Sequence, residues 1–455
     1  MTRAIRLLAP LLLLAAAKAF AATSVDAATF LHQTDRYADG VRVTGVQADG
    51  TTITLDLRRF EVFARNVQLV ADDGRGNVQH LPRPLTRYYT GQVAGTGGAV
   101  FLAVEPDGRA RGIVDRDGAA ASIDGGAGRA LRLVTIDMST PRADGGFRCD
   151  SDDLAQARDI VERARTESPP VAAAPAGVTR PYRARAAIET DYEFFQKFND
   201  APRAIAYVGD VIGYASTKYL AEIDTRLEVA YVRLWTSAAD PWTNEQSSNC
   251  ALYEFGQYWN ANMSGVSRSF AHMLSARQTS GGSAWIGALC SAPFSVAISS
   301  GACNFGSGTL NAGGDYGYTG RLSGTFDAGS PQVIWDVEAP SHEIGHNFDS
   351  PHTHCYNGVG GNPDPIDRCY NGQVGCYSGA TSLPGPSGQG SGTIMSYCHL
   401  LSGGMSNISM SFGTGHAYGT APERVATRMR NYVANLVQTN PACVVDDTIF
   451  ADGFD

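Results

Sequence analysis

The residues best able to do chemistry lie close together in the chain. Residues 341–354 read Ser-His-Glu-Ile-Gly-His-Asn-Phe-Asp-Ser-Pro-His-Thr-His. His342 and His346 are four apart, so a helix puts them on one face, one turn from each other. Two imidazoles in that arrangement can grip one metal ion. Glu343 stands beside the first of them, where its carboxylate can reach a metal-bound water without binding the ion. His352 follows six residues after His346, and a continuing helix would point it elsewhere. The chain must therefore turn back. Asp349 accepts a left-handed backbone, and Pro351 forbids further helix. Three neutral nitrogen donors with one open position describe a catalytic zinc site, because a structural site is closed by four protein ligands. His354 and His399 lie nearby and read as solvated or structural histidines, since the three donors already suffice.

Other elements must position this motif. Its helix contains Pro340, which belongs in a first turn, so the helix is expected to start no earlier than about Val337. From residue 186 onward, short apolar runs alternate with helical stretches. Residues 227–234, 270–275 and 283–289 read as strands, and 201–221, 253–263 and 421–437 as helices. Interleaved strands and helices argue for an α/β layer structure. Residues 22–148 are different: alternating runs at 41–43, 51–57, 62–70 and 100–104, separated by Gly and Asp turns, read as β-rich. The polar stretch 150–168 can be helical. Residues 168–177, rich in Pro and Ala, read as an exposed linker. Arg180, Arg183 and Arg185 follow, where a protease can cut.

The start of the chain reads as an address. Arg3 and Arg6 precede an apolar run over 7–17, and Ala19-Phe20-Ala21 supplies a small-x-small cleavage site. This is the pattern of a secretory signal peptide over residues 1–21. No later stretch approaches the ~20 apolar residues of a spanning helix, so no membrane partner is expected. Asp and Glu outnumber Lys and Arg by 45 to 36 with no dense basic run, which argues against a nucleic-acid partner. The secreted, extracellular setting expected from the leader is oxidising, and there most of the nine cysteines should pair. Nine is odd. The eight from Cys250 onward can form four disulfides of undetermined connectivity, leaving Cys149 over. Cys149 precedes the linker, and its thiolate can fill the open fourth position of a zinc site. The four cysteines between 355 and 398 read as staples of one loop.

His342-Glu343-x-x-His346-x-x-x-x-x-His352 resembles the metzincin zinc signature, and Thr393-Ile394-Met395-Ser396-Tyr397-Cys398 resembles the metzincin Met-turn. Residues 270–277 and 285–290 are similar to the strands before the active-site helix of the adamalysin (reprolysin) family. Residues 85–115 look more weakly like its propeptide. The resemblance covers about residues 185–440. It implies a mixed twisted sheet with long helices and zinc in the cleft, preceded by a β-rich prodomain. The expected divisions are signal peptide 1–21, propeptide 22–184, catalytic domain 185–445 and a C-terminal tail 446–455. It also implies a zinc endopeptidase acting on protein or peptide substrates, made as a zymogen with its own propeptide as inhibitor.

The resemblance implies a role for each of these residues. His342, His346 and His352 would hold zinc, and Glu343 would be the general base. Met395 would floor the site, and Tyr397 would steady an oxyanion or add a ligand, a spacing seen in astacins and serralysins. Cys149 resembles a cysteine switch. Residues 283–289 would be the edge strand that pairs with substrate. The chain departs from the family pattern at Asp349, where Gly is usual, and at Thr353, where Asp is usual. Scattered loop Asp and Asn leave room for calcium. The sequence carries no signal of an oligomeric state. Two other functions fit the same motif: an exported binding or adhesion protein on a metzincin scaffold, and a zinc amidase acting on a non-protein amide.

Overall fold

The computed structural model describes residues 23–37, 40–116, 119–126, 128–139, 147–154, 157–166, 181–244, 247–299, 301, 303–305 and 307–446. The expected signal peptide, the linker at 168–177 and all of the expected tail but Asp446 lie outside them.

The N-terminal region is β-rich, as the alternating pattern requires. Eight strands form one sheet, and the pairing of Val41–Ala48 with both Thr51–Phe60 and Arg129–Thr135 brings its order back on itself as a barrel. Strand Ala99–Val104 shows how the sequence builds two interfaces at once. Val100, Leu102 and Val104 point into the barrel with Phe30, Leu55 and Tyr89. Phe101 and Ala103, on the opposite face, join the main core of the molecule. A period of two with both faces apolar means both faces are covered.

The second sheet is mixed. Its central strands Tyr316–Thr319, Phe270–Leu274, Tyr182–Thr190 and Thr225–Trp235 run parallel. Gly281–Ala284 adds antiparallel to Tyr316–Thr319. The residues before the linker then take both flanks. Strand Phe63–Asp72 pairs parallel with Thr225–Trp235, and Arg148–Cys149 pairs parallel with Gly281–Ala284. The two-part reading of the sequence missed this interleaving, because each strand's pairing partner is more than a hundred residues away and leaves no local pattern.

Helices cover the sheet on both sides. Ala201–Ile223 starts at Asp200, whose carboxylate accepts from the Arg203 N–H at 2.8 Å, and ends at Asp224 in a left-handed conformation. Ser248–Asn262 starts at Ser247, which accepts from the Cys250 N–H at 3.2 Å. The motif helix runs Pro331–Asn347, so Pro340 lies in its interior rather than its first turn. The helix thus starts six residues, nearly two turns, before the expected Val337. Packing overrides the proline: Val333, Ile334, Trp335 and Val337 are all buried. The Asp336 carboxylate accepts from the Tyr207 hydroxyl at 2.6 Å and from the Ser323 and Gly324 N–H groups, anchoring the turn that proline would otherwise fray. No described helix is long and apolar enough to cross a membrane.

The barrel and the long helix meet through missing side chains. A Cβ at Gly209 would meet the Tyr88 hydroxyl and the Phe63 ring, and one at Gly213 would lie 2.7 Å from Phe101 Cε2. Two glycines one turn apart thus form the groove that receives the aromatic rings. Helix propensity alone favours replacing such a glycine, by ~1 kcal/mol. Overpacking opposes it at about 1–3 kcal/mol. Gly213→Val should therefore destabilise the protein, read as a lower midpoint in denaturant unfolding; an unchanged midpoint would show that the interface yields.

Candidate metal centre

Three elements bring the motif histidines together. The helix Pro331–Asn347 presents His342 and His346 one turn apart. The chain then reverses at Asp349, whose φ of 72° is the left-handed turn expected where the family has glycine. A non-glycine residue there costs about 1–2 kcal/mol. Arg428, from helix Arg424–Thr439, offsets it: its Nη2 lies 2.6 Å from the Asp349 carboxylate and its Nε donates to the Asp349 carbonyl at 2.6 Å. The Asp349 side chain thus tethers the strained turn to Arg428.

The imidazoles converge. His342 Nε2 and His346 Nε2 lie 3.1 and 3.2 Å from His352 Nε2. Tetrahedral nitrogen donors on an ion at about 2.0–2.1 Å would be separated by ~3.3 Å, so the three nitrogens have the spacing of a shared cation. Each ring is oriented from behind. His342 Nδ1 faces the Ile394 carbonyl at 2.6 Å, and His346 Nδ1 faces the Ser350 carbonyl at 2.7 Å. An N–H donated to oxygen at Nδ1 leaves the lone pair at Nε2, the tautomer that binds metal. His352 Nδ1 lies 2.6 Å from the Asp152 carboxylate. Burial lowers all three histidines: His342 well below its ordinary value, His346 and His352 to about 3.

Glu343 shares the site. Its carboxylate lies over Gly282 of strand Gly281–Ala284, where a Cβ would collide with it. Burial pushes its carboxyl well above the usual range; the Cys149 thiol opposes this, and the nearby carboxylates of Asp150, Glu338 and Asp152 add to it. Met395 is fully buried, with its sulfur against Gly345 between the two helical histidines. Thr353 binds the Met395 carbonyl through its N–H at 3.0 Å and its hydroxyl at 3.2 Å. A threonine at that position therefore ties the third histidine to the Met395 turn.

The fourth side is filled by residues 147–154. Cys149 Sγ lies 3.4 Å from both Glu343 Oε2 and His346 Nε2. Cys149, His342, His346 and His352 form a single group of four buried donors. The Tyr397 hydroxyl donates to the Cys149 carbonyl at 2.6 Å, and its ring centroid is 4.3 Å from that of His352. Phe147 packs edge-on against Trp335 and His342, and its carbonyl faces His399 Nε2 at 3.1 Å.

All seven residues singled out from the sequence thus meet in one place. His354 instead pairs with Gln373 at 2.8 Å, matching its structural reading. The strand expected at 283–289 runs Gly281–Ala284, and Arg148–Cys149 covers its outer side. Residues 287–289 leave it because their N–H groups bond the His346 and Asn347 carbonyls at the end of the motif helix. Sequence reasoning missed Asp152, Gly282 and Arg428. Only Asp152, close after the cysteine in an acidic run, left any local signal.

Four disulfides account for the remaining cysteines: Cys250–Cys303, Cys290–Cys443, Cys355–Cys376 and Cys369–Cys398. Cys149 is free and buried. The last two bridges staple the loop between His352 and the Met395 turn, as its cysteine content implied. They also explain why His354-Cys355-Cys376 and Asp367-Cys369-Cys398 cluster without being metal sites.

A convergent set of three histidines beside a buried glutamate could hold a metal ion with a carboxylate next to it, the arrangement that metal-assisted hydrolysis needs. The reprolysin-type model of metallo-peptidase family M12 matches residues 180–409, just over half of the chain. The protein belongs to that family, whose members act on peptides with a metal, typically zinc. No curated protein matches the chain. Among solved structures it is similar to metalloproteinase-II from Bacteroides fragilis, at 12% identity over 72% of this chain and 88% of that one, with a TM-score of 0.34. It is also similar to a chain in a chaperone-substrate complex, at 10% identity over 56% and 35%, with a TM-score of 0.28. Likenesses this low bear on neither fold nor function.

Asp349 gives a test of the turn. Asp349→Gly relieves about 1–2 kcal/mol of backbone strain. It also removes the carboxylate that Arg428, 8% exposed, pairs with, and breaking a buried pair costs about 3–5 kcal/mol. The loss outweighs the relief, so the variant should unfold at lower denaturant. A more stable variant would show that the carboxylate does not hold the turn.

Proposed function

We propose that the protein is a secreted zinc endopeptidase made as a zymogen, with residues 1–21 as signal, 22–184 as propeptide, 185–445 as the catalytic domain and 446–455 as a tail. The observation that carries this reading is the convergence of three Nε2 atoms beside Glu343, with Cys149 on the remaining side. His342, His346 and His352 would hold the zinc. When bound, it polarises a carbonyl and lowers the pKa of water. Glu343 then takes a proton from the attacking water and returns it to the leaving amine. Met395 keeps the floor apolar. Calcium finds no support among the described donor groups and is not part of this reading.

The propeptide occupies the place of substrate. Arg148–Cys149 adds a strand to Gly281–Ala284, so the cleft accepts extended chain by main-chain pairing. This supports a protein or peptide substrate and disfavours a small non-protein amide. A pure binding scaffold has no use for a general base set against the donors, and Glu343 is present. Cleavage after the linker would free the strand and withdraw the thiol, opening the position that water needs. The Tyr397 hydroxyl, released from the Cys149 carbonyl, would then face the scissile group as a hydrogen-bond donor.

Processed enzyme should hydrolyse denatured protein and stop when a zinc chelator is added. Glu343→Ala should lose roughly 10²–10⁴-fold in turnover while still binding zinc. Retained turnover in that variant would remove Glu343 from the mechanism. Unprocessed Cys149→Ala should be more active than the unprocessed parent; equal activity would mean the thiol is no switch. Tyr397→Phe should lower kcat by roughly 10²–10³-fold if its hydroxyl stabilises the oxyanion, and an unchanged kcat would end that role.

A further inference from the structure

Two of the three histidines are oriented by oxygen atoms of the catalytic region itself, the carbonyls of Ile394 and Ser350. The third is not. His352 Nδ1 faces Asp152 at 2.6 Å, and Asp152 lies ahead of the linker. The Asp152 side chain is 4% exposed and His352 is 1% exposed, so the contact is closed to solvent. The pair is a close charge contact rather than an aligned hydrogen bond, and neither carboxylate oxygen of Asp152 nor His352 Nδ1 has a well-aligned hydrogen-bond partner among the described residues, with the Tyr397 hydroxyl and the Gln373 amide beside them. The nearby amide of Gln373 is engaged by His354 Nε2 at 2.8 Å. Asp152 is held in place from both sides. Cys149 anchors it through the zinc-site contacts, and the Ser151 hydroxyl donates to the Ala284 carbonyl at 3.1 Å while accepting from the Ala284 N–H at 2.9 Å.

We propose that Asp152 is a positioning residue for the metal site, supplied by the propeptide: it orients His352 and raises its basicity as long as the precursor is intact. The inference rests on the zinc reading above. A carboxylate behind a ligating imidazole fixes its tautomer and strengthens it as a donor, and removing such a partner typically costs 10–100-fold in metal affinity. The propeptide then does two opposed things at once. Through Cys149 it blocks the reacting position, and through Asp152 it tightens the grip of the site on its ion. Processing removes both together. The precursor is therefore the form that acquires and retains zinc, and the processed enzyme holds it more loosely.

The test is zinc affinity, measured on full-length protein by competition with a chelator of known affinity. Cys149→Ala serves as the background, so that loss of a sulfur ligand does not mask the effect. In that background Asp152→Asn, which keeps the side-chain size, should weaken zinc binding by about 10–100-fold. Asp152→Ala should weaken it at least as much. Processed enzyme should bind zinc as weakly as the double variants. Affinities within twofold of the Cys149→Ala parent would overturn the role of Asp152. His352→Ala separates the two levels. If it leaves zinc affinity unchanged, the three-histidine reading itself fails; if it abolishes binding while both Asp152 variants bind like the parent, only the present inference fails.

Discussion

Everything at this site depends on holding three imidazole rings by their far nitrogens. A histidine can offer Nε2 to a metal only if Nδ1 carries the proton and has somewhere to put it. In the proposed zinc site the fold serves that need. The helix Pro331–Asn347 spaces two of the rings, the left-handed turn at Asp349 returns the third, and the loop carrying Ile394 and Met395 supplies the oxygen behind the first. Arg428 and the two disulfides between Cys355 and Cys398 reach no donor atom. They fix the backbone that places the oxygens.

The segment before the linker has a second structural consequence. Its strands lie on both flanks of the main sheet, next to Gly281–Ala284 and next to Thr225–Trp235. Unpaired strand edges invite association, and this chain covers both with its own earlier residues. The barrel packs its outer aromatic rings into the Gly209–Gly213 groove, and Arg111 of the barrel pairs with the buried Asp210 of the same helix. The N-terminal region is thus built into the core as well as into the site.

Much of the site was legible in the sequence because metal chemistry restricts residue type and spacing. The four-residue interval fixes a helix face, the breakers at Asp349 and Pro351 fix the return, and the odd cysteine count isolates Cys149. The helices expected at 201–221 and 421–437 and the strands expected at 227–234 and 270–275 were legible from period, whereas the central strand Tyr316–Thr319 was not. What escaped was whatever depends on distant pairing. Nothing local marks Phe63–Asp72 as a strand of the second sheet, or Gly282 as the surface on which Glu343 rests. Pro340 misled for the opposite reason: the local rule is sound, and tertiary packing around Trp335 and Asp336 overrode it. The strand expected at 283–289 was cut short because its later residues serve the end of the motif helix instead.

Zinc-edge X-ray absorption on the intact, unprocessed protein is the most direct test of a cation held between three imidazoles and a thiolate. The prediction is one ion with three nitrogen neighbours at about 2.0–2.1 Å and one sulfur neighbour at about 2.3 Å. A first shell without sulfur, or full-length protein that takes up no zinc, would contradict it.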